Sequence, residues 1–245
     1  MNKPSITSFD ILSVGYIGVS LLGLGLLVVL TFTATLSRIT FPLQTQATGL
    51  IFTGICLLGI MIGVFPSRCA RLLHFRSQDE AVDKTEPASV RRTTVMFRGH
   101  HPTCEVFSTH VLHVEDATYC AGCMGLVTGG VISLIGCFSY FFLGFGVGEA
   151  GGYAFGIGIG GVVCGLLQYH LFKGSSGTIH FLLNVVFVVG AFLLLLGVNA
   201  LKSNFALEAY LLVLMVFWIF SRMTLSQREH TKVCAACGVQ SCGYW

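Results

Sequence analysis

Charge is what this sequence has least of. Of its 245 residues, 14 are Lys or Arg and 11 are Asp or Glu, 10% in all, whereas a soluble globular domain carries about 25%. So little charge cannot cover a water-facing surface, which excludes an ordinary soluble enzyme. A hydrophobic content of 54% excludes intrinsic disorder. The formal net charge of +3 is too small for a dedicated nucleic-acid binder. The chain also lacks a G-x-S-x-G elbow, an H-E-x-x-H zinc helix and a P-loop, and no internal repeat signals a solenoid. What remains is apolar, with a mean hydropathy of +0.80. The composition points to a polytopic membrane protein whose principal partner is the lipid bilayer, with no nucleic acid.

About 20 apolar residues are needed to cross a hydrocarbon core roughly 30 Å thick. Six runs qualify, at 11–36, 49–65, 124–146, 151–172, 181–201 and 205–220. The first is too long for a signal-peptide core and no small-residue cleavage pattern closes it, so it reads as an anchor. The fold class expected is all-α, an integral bundle of six transmembrane helices. Its divisions are a two-span hairpin over 1–65, a cytoplasmic linker and Cys/His-rich segment over 66–123, a four-span bundle over 124–222 and a Cys-rich tail over 223–245.

Orientation follows from Lys and Arg in the connections. With the amino terminus inside, the cytoplasmic face receives Lys3, seven basic residues between Arg68 and Arg98, Lys173, Arg222, Arg228 and Lys232, while the exterior receives Arg38 and Lys202. An even number of spans then leaves both termini cytoplasmic. No charged residue stands in the middle of a run, which argues against a proton relay or a coupled pump. The fourth run repeats glycine at 152, 156 and 160, with Gly161 and Gly165 beside them. Small residues one turn apart let helices approach closely in lipid. Tight packing inside the bundle is the plain expectation for this row, and self-association through the fourth span is the sharper one.

Ten cysteines and eight histidines supply the remaining chemistry. Cys56, Cys137 and Cys164 lie within spans and are expected to be small packing residues. Every other Cys and every His falls on the face assigned to the cytoplasm, a reducing compartment that favours metal binding or thiol chemistry over structural disulfides. Two C-x-x-C knuckles, Cys120 with Cys123 and Cys234 with Cys237, suit a tetrahedral zinc ion, because a two-residue spacer lets two thiolates reach one metal. They are the leading site, joining loop to tail. Cys104, Cys242, His101 and His110 are further ligands for a second ion or a different pairing. An iron–sulfur cluster is the alternative cofactor, although the tail spacing is not that of bacterial ferredoxins. His170 and His180 flank the fourth connection, where bis-histidine haem or plain interfacial hydrogen bonding are the options. Glu115 and Asp116 read as a solvated acidic pair, and no catalytic residue is assigned.

If Cys120 starts the third helix, its orphan N–H groups and dipole favour a thiolate. That arrangement distantly resembles the membrane quinone-linked disulfide-forming enzymes, whose C-x-x-C pair meets a helix end but faces the oxidising side. His101, Cys104, Phe107 and the run Cys120-Ala121-Gly122-Cys123-Met124-Gly125, with Gly129 after it, resemble small prokaryotic multi-span membrane proteins of the domain-of-unknown-function 2085 type. Gly122 and Met124 stand where that family carries Arg and Thr. The resemblance covers about residues 100–129 and implies a Cys/His site at the membrane face, with no substrate attached. Three functional classes follow: a non-enzymatic membrane protein with a structural zinc knot, a thiol or iron–sulfur redox protein exchanging electrons with a quinone, and a carrier of a neutral or lipidic small molecule.

Overall fold

The computed structural model describes residues 11–33, 43–64, 111–114, 117–171 and 175–237. The elements are α1 (Ile11–Thr33), α2 (Gln44–Val64), β1 (Val111–Val114), β2 (Ala117–Cys120), α3 (Ala121–Cys137), α4 (Ala150–Leu171), α5 (Gly177–Lys202) and α6 (Phe205–Cys237). A π-helical turn, Phe138–Phe142, continues α3. The described residues are predominantly helical, and six helices among them are long and apolar enough to cross a membrane.

Successive helices run in opposite directions. Tyr16 meets Phe217 and Tyr210 donates to Gly23 O at 2.9 Å, so α1 and α6 are antiparallel. Gly49 lies against Phe141 and Gly63 against Val127, which fixes α2 against α3 the same way. The first residues of α1, α3 and α5 therefore share one end of the bundle with the last residues of α2 and α4 and with the continuation of α6. We call this the hairpin end, after β1 and β2. The opposite end carries the turn between α5 and α6, where Ser203 adopts a left-handed conformation at φ 42°.

The central element is α5, which packs on α3, α4 and α6. A helix apolar all round is suited to an interior position, and α5 buries Leu194, Leu195 and Val198 together with Val162, Leu211 and Trp218 from its neighbours. Lipid supplies no hydrophobic drive between helices, so association depends on close packing. At Gly190, an added Cβ would stand 3.0 Å from Gly161 Cα, so α4 and α5 approach backbone to backbone there. The glycine row at 152, 156 and 160 behaves differently from the plain expectation. A Cβ at any of the three would meet nothing within 4 Å. These residues lie on the outward face of α4, and the packing is carried by Gly158, Gly161 and Gly165 instead.

Several boundaries depart from the apolar runs, α2 beginning at Gln44 rather than Gly49 and α5 at Gly177 rather than Phe181. α3 begins at Ala121 rather than Met124, which draws Cys123 into its first turn. α6 continues to Cys237, although its apolar span ends at Leu225. The tail residues 223–237 thus prolong a transmembrane-length helix. At 1.5 Å per residue, Cys234 stands about 18 Å beyond Arg222 along that axis.

Candidate functional site

The hairpin end is built around the first C-x-x-C pair. β1 and β2 pair antiparallel, with Val111 opposite Cys120 and Val114 opposite Ala117. β2 runs without a break into α3, making Cys120 the N-cap residue with an extended backbone. Both Cys120 and Cys123 are half-buried, and neither forms a disulfide. The Cys123 thiol donates toward Cys120, which lies beside the N–H groups of Gly122 and Cys123 without closing a capping hydrogen bond of ordinary geometry. Donation from Cys123 is the largest influence, and with the two N–H groups it outweighs burial. The Cys120 thiol is lowered from 9.0 to about 6. A lowered thiol gives up its proton more readily than a free cysteine, and its partner stands one helical turn away. That is the chemistry of a nucleophilic sulfur with a neighbouring thiol to resolve it.

Gly125 holds this turn against α5. A Cβ there would lie 2.5 Å from Phe181 O and 2.7 Å from Asn184 Cβ. Asn184 in turn donates to His180 O at 2.6 Å and accepts from Arg222 Nη1. Arg222 also donates through Nη2 to Gly165 O, stacks 4.1 Å from the centre of the Phe187 ring, and reaches Gln168 at 3.0 Å when that amide turns its oxygen inward. The positive-charge tally placed Arg222 among the water-facing cytoplasmic residues, but its relative exposure is 7%. It belongs to the bundle, its stem covered and its fork spent on four helix positions. His180, expected at an aqueous face, is likewise buried.

The other sequence-derived ligands divide in two. Cys104, Cys242, His101 and His110 lie outside the described residues. Cys234 and Cys237 lie three residues apart on the continuous α6 helix, where only the backbone path is described. Among the described residues, no three His, Cys, Asp or Glu side chains gather as a metal-binding group. Of the span cysteines, Cys137 is a buried packing thiol that donates to Gly49 O at 3.5 Å, and Cys56 is also buried. Cys164 instead faces outward.

No family model, characterised protein or solved structure matches this chain.

A second polar cluster, at the end opposite the hairpin, escaped the sequence reading. Glu208 stands in the first turn of α6 and is fully buried. Its carboxylate accepts from Thr48 Oγ1 at 2.5 Å and Gln44 Nε2 at 3.2 Å on α2, and from Asn199 Nδ2 at 2.7 Å on α5. Tyr140, on the π-helical turn, donates to Asn199 Oδ1 at 2.9 Å. Three helices thus meet on one acid, and the π-helical turn reaches it through Asn199. The signal was present as a single Glu inside the sixth apolar run, with Asn199 and Thr48 at the ends of neighbouring runs, but nothing in the sequence pairs them. Glu208 and Arg222 are separated by 14 residues of α6, about 21 Å, with Leu211, Met215 and Trp218 buried between.

Proposed function

We propose that this chain is an integral membrane thiol protein whose Cys120 and Cys123 carry out thiol–disulfide exchange at the hairpin end. The observation that carries the reading is Cys120 as the N-cap of α3, with Cys123 one turn on and its thiol donating toward Cys120. The Cys120 thiolate attacks one sulfur of a substrate disulfide, forming a mixed disulfide and expelling the other sulfur as a thiolate. Cys123 then loses its proton and attacks Cys120, releasing the second substrate thiolate. Two electrons pass from the protein dithiol to the substrate, and a Cys120–Cys123 disulfide remains.

The test is trapping with oxidised glutathione as the probe. C123S should accumulate the mixed disulfide on Cys120, wild type should pass through to the internal disulfide, and C120S should give neither. Equal labelling of C120S and C123S would sink the reading.

Zinc is the second reading, favoured by the same fact that two sulfurs lie one turn apart at the exit of a β-hairpin. Cys234, Cys237, Cys104, Cys242, His101 and His110 are the remaining ligands it draws on. Elemental analysis of protein purified without chelator separates the two: about one zinc per chain, lost in C120S, supports the knot, whereas metal-free protein that traps glutathione supports exchange. Iron with a visible band near 400 nm would instead favour the cluster. Cytoplasmic placement of this face rests on the Lys and Arg bias, which survives removal of buried Arg222 from the count.

A further inference from the structure

Glu208 is the one acid inside the six apolar spans, and the thiol chemistry at the far end makes no use of it. Ionisable residues at such positions are costly and tend to mark ion or substrate sites. Among the described residues its hydrogen-bond partners are all neutral: Thr48, Gln44 and Asn199. A second observation points the same way. Gln44 is only 4% exposed, and its Oε1 has no hydrogen-bond partner among the described residues. The nitrogen of that same amide contacts Glu208 at 3.2 Å, so turning the amide about its last bond would carry the spare carbonyl oxygen to the carboxylate. A buried acceptor left unpaired on a side chain that already reaches a buried acid is a poor arrangement for a purely structural network, where each polar atom is expected to be paired. The elements at the site are also irregular. Tyr140 reaches Asn199 from a π-helical turn, a feature often found at functional sites, and the α5–α6 turn closes through left-handed Ser203.

We propose that Glu208, Gln44 and Thr48 form a binding site for a small monovalent cation of the sodium class. The available ligands are all oxygens: Oε1 and Oε2 of Glu208, Oε1 of Gln44 and Oγ1 of Thr48. Hard cations take such donors. One carboxylate balances one positive charge, whereas a divalent ion would leave a net charge buried in hydrocarbon. On binding, Gln44 turns its carbonyl oxygen toward the ion and withdraws its N–H, while Thr48 presents a lone pair. Asn199, held by Tyr140, keeps its bond to the carboxylate and fixes the acid in place.

The experiment uses the full chain purified in detergent without sodium. Thermal unfolding is followed in choline chloride while sodium, lithium or potassium chloride replaces it at constant ionic strength, and radiolabelled sodium binding is counted on the same preparation. Wild type is expected to show a saturable rise in Tm with sodium and one bound ion per chain. Q44L, which removes only the spare carbonyl and its amide, should weaken the sodium midpoint by about tenfold or more, the scale of one lost charge-assisted contact. E208Q should abolish the response, and if E208Q fails to fold, Q44L and T48V carry the result through the binding counts. A Tm indifferent to the cation, with no bound sodium, overturns the proposal and assigns the cluster to a trapped water. A sodium response that Q44L and T48V leave unchanged also overturns it.

Discussion

The side-chain amide of Asn199 donates to Glu208 Oε1 at 2.7 Å while its carbonyl oxygen accepts from Tyr140 at 2.9 Å. One residue near the end of α5 thereby ties a carboxylate on α6 to the π-helical end of α3. Replacing Asn199 with Leu removes both contacts at once, leaving the buried Glu208 carboxylate one donor short and the half-buried Tyr140 hydroxyl without its acceptor. A buried polar group short of a partner costs about 1–3 kcal/mol, so N199L should lower the unfolding midpoint in detergent clearly. Y140F, which removes only the outer bond, should cost about 1 kcal/mol. Equal stability of N199L and wild type would remove the cluster from the list of features that hold these helices together.

Arg222 should resist conservative exchange. Its guanidinium divides donors between Asn184 Oδ1 and Gly165 O while stacking on Phe187. Lysine supplies a point charge and cannot serve that fork or the ring together. We expect R222K and R222M both to destabilise the protein, on the order of 2 kcal/mol, with R222K giving little rescue. Rescue to wild-type stability by lysine would show that charge alone matters there.

The two glycine faces of α4 make opposite predictions. At Gly161 an added Cβ would lie 2.9 Å from Val186 O and 3.1 Å from Gly190 Cα, both backbone atoms, so G161L must separate α4 from α5. Overpacking of this kind costs about 1–3 kcal/mol or more. G156L should leave monomer stability unchanged, because nothing lies within 4 Å of that position. Measuring both variants in parallel also reports on self-association: a change in oligomeric state confined to G156L would locate a contact on the outward row.

Alkylation of Cys120 should follow a titration centred near pH 6, far below the ordinary 9.0. C123A, which removes the donating thiol, should move that midpoint upward. The folded value is the depressed one, so the folded state gives up this proton first. Its contribution to stability is full above about pH 9 and fades as pH falls through about 6. An alkylation profile centred near 9 would contradict the lowered thiol.

The hairpin end shows how much local pattern can carry. Cys120 at a helix start was legible because a C-x-x-C followed by an apolar, glycine-bearing run leaves few other places for the helix to begin. The exact start was not: Ala121 and Gly122 are too small and neutral for hydropathy to mark, and the strand feeding into Cys120 decides it. The far boundary of α6 was hidden for a related reason. Residues 226–232 are polar, and hydropathy registers where a helix leaves an apolar phase rather than where it stops.

The sequence by itself determined that six apolar helices form, because a run of that length and poverty in charge has no other way to satisfy its backbone away from water. It also placed the segment between the second and third runs and the tail after the sixth at one end, because an even number of runs separates them. Only the tertiary structure decided which glycines touch, since Gly156 and Gly161 are indistinguishable by spacing and differ only in which way they face. It alone brought Gln44 and Thr48 to Glu208 across more than 150 residues of chain, beside Asn199 from across the neighbouring turn. Hydrogen bonds between helices depend on the order in which those helices pack, and that order is set by side-chain fit across the bundle, which no local run of residues contains.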